Sequence, residues 1–210
     1  MPNKIKRWLY KQFQDSFIVY FIIFIIFIIG IIAGAVTIKM LDFEYKNEIL
    51  RFLNSFFKTI DGSNFEKLSI LKQAIGDNFK TVGLIWITGI IFIGILIIPI
   101  VILFRGFAIG FTVGFLVFEY GIQGFLFSIL GILPQNLFII PGIISIASIG
   151  MSFSINGIRR KKIKMRNNSL LKYIGDYSIL ILLFSTILIV GCIIEATISP
   201  IFLRLLSDYL

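Results

Sequence analysis

Apolar and polar residues along this chain are segregated into long blocks instead of alternating. Apolar tracts cover about 17–40, 82–104, 137–155 and 178–199, and a fifth, less uniform one covers 106–133. Each is close to or above the ~20 apolar residues that a helix needs to cross the hydrocarbon core of a bilayer. The pattern predicts an all-α, polytopic integral membrane protein with about five transmembrane helices. Between the first two tracts, residues 41–81 carry a different pattern. Leu50, Leu53, Phe56, Phe57 and Ile60 recur at helical spacing, Asp61-Gly62-Ser63-Asn64 signals a turn, and Phe65, Leu68, Leu71 and Ile75 form a second apolar stripe. This predicts a small two-helix loop. It is too short to hold a core alone, so it must lie on the membrane, on the spans or on a partner.

Composition sharpens the picture at two points. The chain has 210 residues, of which 58% are hydrophobic and only 15% charged, well below the roughly one quarter expected of a soluble domain. The net charge of +9 would suit a nucleic-acid binder, but its distribution does not. Lys4, Lys6, Arg7 and Lys11 precede the first tract, and Arg159, Arg160, Lys161, Lys162, Lys164, Arg166 and Lys172 fill the loop between the last two. Basic flanks beside apolar spans orient a membrane protein, the basic side facing the cytoplasm, and they meet anionic lipid there. Partners of that kind are membrane lipids and not nucleic acid.

The same asymmetry sets an expected topology. With residues 1–16 inside, the first tract exits and 41–81 faces outward. The second tract returns at Arg105, 106–133 exits, 137–155 returns, and the basic 157–177 loop lies inside. The last tract leaves the C-terminus outside. Inside segments then carry twelve Lys and Arg against two acids, and 39–81 carries seven against six. Ala33-Gly34-Ala35 resembles a signal-peptide cleavage site, but a cleavable apolar core is usually ~7–15 residues. The run before this triplet exceeds that, so an uncleaved first helix is expected in the plasma membrane.

Several chemistries are excluded by residue type. The chain has no histidine and one cysteine, Cys192. Zinc sites built on Cys and His and Ser-His-Asp or Cys-His nucleophile pairs are ruled out, and no GxxxxGK[ST] loop is present. The outer acids Asp42, Glu44, Glu48, Asp61, Glu66 and Asp77 are scattered, whereas glycosidases hold two carboxylates ~5–10 Å apart. The expectation is a protein that is not an enzyme, with no catalytic, cofactor or metal residues.

What remains are packing and polar positions within the apolar tracts. Gly106, Gly110 and Gly114 stand four apart on one helix face, and Gly30 and Gly34 repeat the spacing in the first tract. Small residues at that spacing let backbones approach closely in lipid. They serve either helix packing within one subunit or a homo-oligomer interface. Glu119 and Gln123 fall ~21 Å or more along a helix from Arg105. Either the helix continues past them to about Leu130, or it breaks near Tyr120-Gly121. Pro134-Gln135-Asn136 is expected to form the outer turn, with Pro134 ending one helix and Asn136 capping the next. Glu195, near the outer end of the last tract, completes a candidate polar cluster of Glu119, Gln123, Asn136 and Glu195 beside Pro134. Polar groups at membrane depth usually face protein or a wet cavity, and this cluster would form a partner surface.

The run Gly110-Phe-Thr-Val-Gly-Phe-Leu-Val117, then Gly121 and Gly124-Phe125, then Leu133-Pro-Gln-Asn-Leu137 and Ile140-Pro141, resembles the stage II sporulation protein M family. So does Glu195-Ala-Thr-Ile-Ser-Pro200, and the likeness extends over essentially the whole chain. The resemblance implies a membrane scaffold of the engulfment machinery in sporulation. It would recruit the septal peptidoglycan hydrolases, sporulation proteins D and P, at the septum. The competing expectation is a small-molecule or lipid-linked permease or channel-like protein of a non-sporulation branch. Glycine-rich, broken helices with Glu119, Gln123 and Glu195 in one outer vestibule would fit such a site.

Overall fold

The computed structural model describes the backbone of residues 2–51, 67–161 and 168–207, and the side chains of 17–51, 68–158 and 173–198. Among the described residues all regular structure is helical. Helix α1 spans Pro2–Met40, and residues 43–51 are helical and are labelled α2. Helix α3 covers Lys67–Ile90, α4 covers Gly94–Lys161, and α5 covers Asn168–Ser207. Among the described residues, three stretches are long and apolar enough to cross a membrane: Phe17–Met40, Gly94–Ile158 and Tyr173–Ile198.

Helix α4 is a hairpin of two helical arms. Gly121 takes φ 58° and ψ −131°, a combination open in practice only to a residue without a Cβ. The arms 94–120 and 122–161 fold back on each other there. A Cβ on Gly124 would sit 2.5 Å from the Leu116 carbonyl carbon, and one on Gly94 would sit 2.6 Å from Ser154 Oγ near the far end of the second arm. Of the two sequence readings at Tyr120-Gly121, the break is the one the structure takes.

Three expected boundaries are corrected. Pro134-Gln135-Asn136 is not a turn, because the 122–161 arm runs through Pro134 and Pro141 as continuous helix. A proline removes one N–H from the ladder, and a packed helix in lipid tolerates that loss better than it tolerates an open chain. The 82–104 tract is not one helix either: α3 ends at Ile90 and α4 starts at Gly94. Arg105, expected at the inner edge of the membrane, therefore lies well inside α4. Finally, Leu68, Leu71 and Ile75 do not belong to a separate outer helix but to the first half of α3, which continues to Ile90. Leu53, Phe56, Phe57, Ile60, the Asp61–Asn64 turn and Phe65 lie outside the described residues.

The turn between α3 and α4 explains why an apolar run could hide a break. Phe92 stands at φ 64° without being glycine, an arrangement that needs support from its surroundings. Its ring stacks with Phe153 at 6.3 Å between centroids and fills the notch left by Gly157, where a Cβ would lie 2.8 Å from Phe92 Cζ. Ser154 Oγ donates to Gly89 O at 3.2 Å, serving one of the carbonyls at the helix end. Phe153 also stacks with Tyr173 at 4.4 Å and Tyr177 at 4.1 Å, and the Tyr177 hydroxyl donates to Ile85 O at 3.2 Å. Nothing in the local sequence announces this support, because it comes from α4 and α5.

The helices then assemble around one core that includes Ile23, Ile85, Ile98, Ile102, Ile146 and Leu188, all fully buried. Helix α1 lies along the 94–120 arm. Helix α5 runs antiparallel to the 122–161 arm, where Gly142 faces Leu188, Gly191 faces Ile139, and Phe153 faces Tyr177. Helix α3 crosses α5, with Trp86 Nε1 donating to Ser178 Oγ at 2.9 Å.

Candidate functional site: a polar layer inside the bundle

The glycines singled out by spacing sit at a helix–helix contact within the chain. Gly106 faces Phe27 and Gly30, Gly110 faces Ile31, and Gly114 faces Ala35. Both series advance together in steps of four, so α1 and the 94–120 arm are parallel. A Cβ on Gly30 would lie 3.2 Å from Gly106 Cα, one on Gly34 2.7 Å from Phe111 N, and one on Gly114 2.9 Å from Ala35 Cα. Side chains have been removed here so that backbones can touch, which is how helices gain van der Waals contact when lipid offers no hydrophobic driving force.

Next to this contact along the same arm, a charge is held among apolar neighbours. Arg105 falls between buried Ile102 and buried Gly106 on the 94–120 arm. Its Nη2 donates to Asn78 Oδ1 of α3. Asn78 is 2% exposed and stands on the buried face of α3 with Ala74, Val82 and Ile85. Its Nδ2 donates to Ala74 O at 2.9 Å and to Cys192 Sγ of α5 at 3.4 Å. Arg105 also lies within electrostatic range of Glu195 and Asp77. Asp77 itself is exposed and pairs with Lys80 at 3.0 Å. A single asparagine thus joins three helices, offering its carbonyl to the cation and its amide to a backbone carbonyl and a thiol. Buried polar groups are normally satisfied in this way.

The fourth element of the layer is the 122–161 arm. Gln135 is 7% exposed, and its Oε1 has no hydrogen-bond partner among the described residues. It lies one turn before Ile139, which packs on Gly191, and the Gln135 carbonyl also approaches Gly191. Glu195 lies one turn beyond Gly191. The antiparallel register therefore puts Gln135 and Glu195 at the same level of the α4–α5 contact.

The residues of the expected outer cluster are distributed differently. Glu119 and Gln123 are exposed on either side of the Gly121 reversal. Asn136, inside the helix and not at a cap, donates its amide to Ile132 O at 2.8 Å. Pro134 is half-buried in the same arm. Glu195 has Arg105 and Asp77 as its charged neighbours. Near the Gly121 tip, Lys46 of α2 places Nζ 4.1 Å from the Phe118 ring centroid, a cation–π contact that ties α2 to α4. Asn78 was missed in the sequence because 41–81 read as a soluble loop, and Gln135 because it read as part of a turn. One signal was available: Asn78 shares the spacing of Ala74, Val82 and Ile85, which is the stripe of a helix facing a core.

Among known families, the one described as Stage II sporulation protein M matches residues 23–200 of the chain. That range contains α2, α3 and α4 entire, most of α5 and the second half of α1 from Ile23, and with them the glycine contact and the polar layer. No curated protein and no solved structure matches.

Proposed function

Because the chain belongs to the stage II sporulation protein M family, we propose that it is a non-enzymatic membrane scaffold of the engulfment machinery. In this reading it anchors the septal peptidoglycan hydrolases, sporulation proteins D and P, at the septal and engulfing membrane. The observation that carries the reading is the family match over 23–200, which includes every helix that builds the bundle.

The fold supports it in a second way. Two chain reversals, at 91–93 and at Gly121, gather α3, the two arms of α4 and α5 into one bundle with α1. We read this as five crossings, with α1 and the 94–120 arm running outward, α3 and the 122–161 arm running inward, and α5 running outward. The Lys and Arg asymmetry then puts the N-terminus inside and the C-terminus outside. The Gly121 tip, α2 and the start of α3 face the wall, where hydrolases act. Affinity purification from engulfing cells tests the proposal. Proteins D and P should co-purify with the chain, and their absence under conditions that preserve the membrane complex would remove it.

The polar layer favours a second reading, a permease, since an ionisable residue at membrane depth is a functional-site hypothesis by default. Arg105→Met discriminates between the two. A scaffold whose arginine only braces the bundle keeps hydrolase recruitment once the variant is folded, and a permease loses its cargo.

A further inference from the structure

We propose that Glu195 and Gln135 form a proton-binding site inside the bundle, in which the Glu195 carboxyl exchanges between two partners. The argument starts from an unmet need. Gln135 Oε1 is an acceptor buried to nine-tenths or more with no donor among the described residues, and such an orphan is costly at membrane depth. The group at its level in the α4–α5 register is Glu195. An ionised carboxylate has no proton to donate and leaves Oε1 unserved. A neutral carboxyl carries one O–H, and that O–H is the donor Gln135 lacks.

Arg105 supplies the other half of the exchange. Its guanidinium has five N–H donors, and it lies in electrostatic range of Glu195 while holding Asn78 Oδ1. When Glu195 is ionised, its charge is offset by Arg105. When Glu195 takes a proton from water on the outer side, the O–H turns to Gln135 Oε1 and Arg105 keeps Asn78. The step moves one proton and breaks no covalent bond. The other groups facing Glu195 are Asp77 of α3, which is exposed and already paired with Lys80, and Cys192 on its own helix, which accepts from Asn78. Because Arg105, Asn78 and Cys192 are hydrogen-bonded or electrostatically linked to the site, a proton bound at Glu195 changes the forces between α3, α4 and α5 together.

Infrared spectroscopy of the purified chain in lipid tests this, with pH taken from mildly alkaline to mildly acidic. The wild type should gain the carbonyl stretch of a protonated carboxyl on acidification. Glu195→Gln should lack that band. Gln135→Leu should keep it but move it to higher frequency, because the carboxyl loses its acceptor. A wild type without a titrating band overturns the site, as does a band of full strength in Glu195→Gln. An unshifted band in Gln135→Leu overturns Gln135 as the acceptor. Should Glu195→Gln fail to fold, the frequency comparison between wild type and Gln135→Leu still decides the question, because both retain Glu195.

Discussion

Asn78 and Arg105 meet inside the bundle, the guanidinium donating to the asparagine carbonyl, and this bond fixes α3 against the first arm of α4. Asn78→Leu keeps the branched shape of the side chain and removes the acceptor, leaving a half-buried cation short of a partner. The loss should be on the order of 3 kcal/mol, the scale for a charged group left unsatisfied. Adding Arg105→Met should recover part of it, since removing both partners is less costly than removing one. Thermal unfolding of the two single variants and the double variant in detergent measures the coupling. Strict additivity would mean that the bond carries no net stabilisation.

Gly110→Leu should lower folded yield, because the new side chain would be driven into the Ile31 backbone. Overpacking of this kind typically costs ~1–3 kcal/mol. Gly83→Leu is the matched control: a Cβ there meets nothing within 4 Å, and its yield should be near wild type. Equal behaviour of the two variants would contradict the parallel contact between α1 and α4.

Gly121→Ala places a Cβ at φ 58°, ψ −131°. There is open space around the position, so any cost arises in the backbone alone, roughly 1–3 kcal/mol for a residue forced into that region. Gly175→Ala, also in open space but with no positive φ to satisfy, should be neutral or slightly stabilising. Denaturation midpoints of the pair separate conformational strain from packing. A neutral Gly121→Ala would place the hairpin reversal elsewhere.

Reporter fusions placed within 157–177 and after Leu210 should report opposite sides of the membrane, the first cytoplasmic. A cytoplasmic C-terminus would invert the proposed topology and move the Gly121 tip away from the cell wall.

The sequence made some of this legible and hid the rest for identifiable reasons. Helical content and apolar spans follow from local pattern, and the glycine triplet at Gly106, Gly110 and Gly114 marks a close approach because spacing alone puts the three on one face. The partner of that face, the Phe27–Ala35 stretch of α1, is suggested by Gly30 and Gly34. Boundaries failed where distant residues decide them. Phe92 bends the chain only because Phe153 and Gly157 accept its ring, and proline at 134 misled because proline breaks helices in water more readily than in a packed membrane bundle. Arg105 looked like the end of a span because a lone cation in an apolar tract ordinarily marks one. Its acceptor, the buried Asn78, stands on α3 in a stretch whose exposed residues, Lys72, Gln73, Asp77 and Lys80, give it the appearance of a soluble loop.

The parallel contact between α1 and the 94–120 arm has a consequence for how the protein is made. The surfaces that fit most closely belong to α1 and to an arm synthesised long after it, with α2 and α3 between them. While the chain is growing, the notch at Gly30 and Gly34 has nothing to receive but lipid. Helix α1 must therefore insert and wait, held by hydrophobicity alone, until Gly106 arrives. A chain halted before that point presents a bare glycine surface, the kind of feature a membrane quality-control protease can read as unfinished.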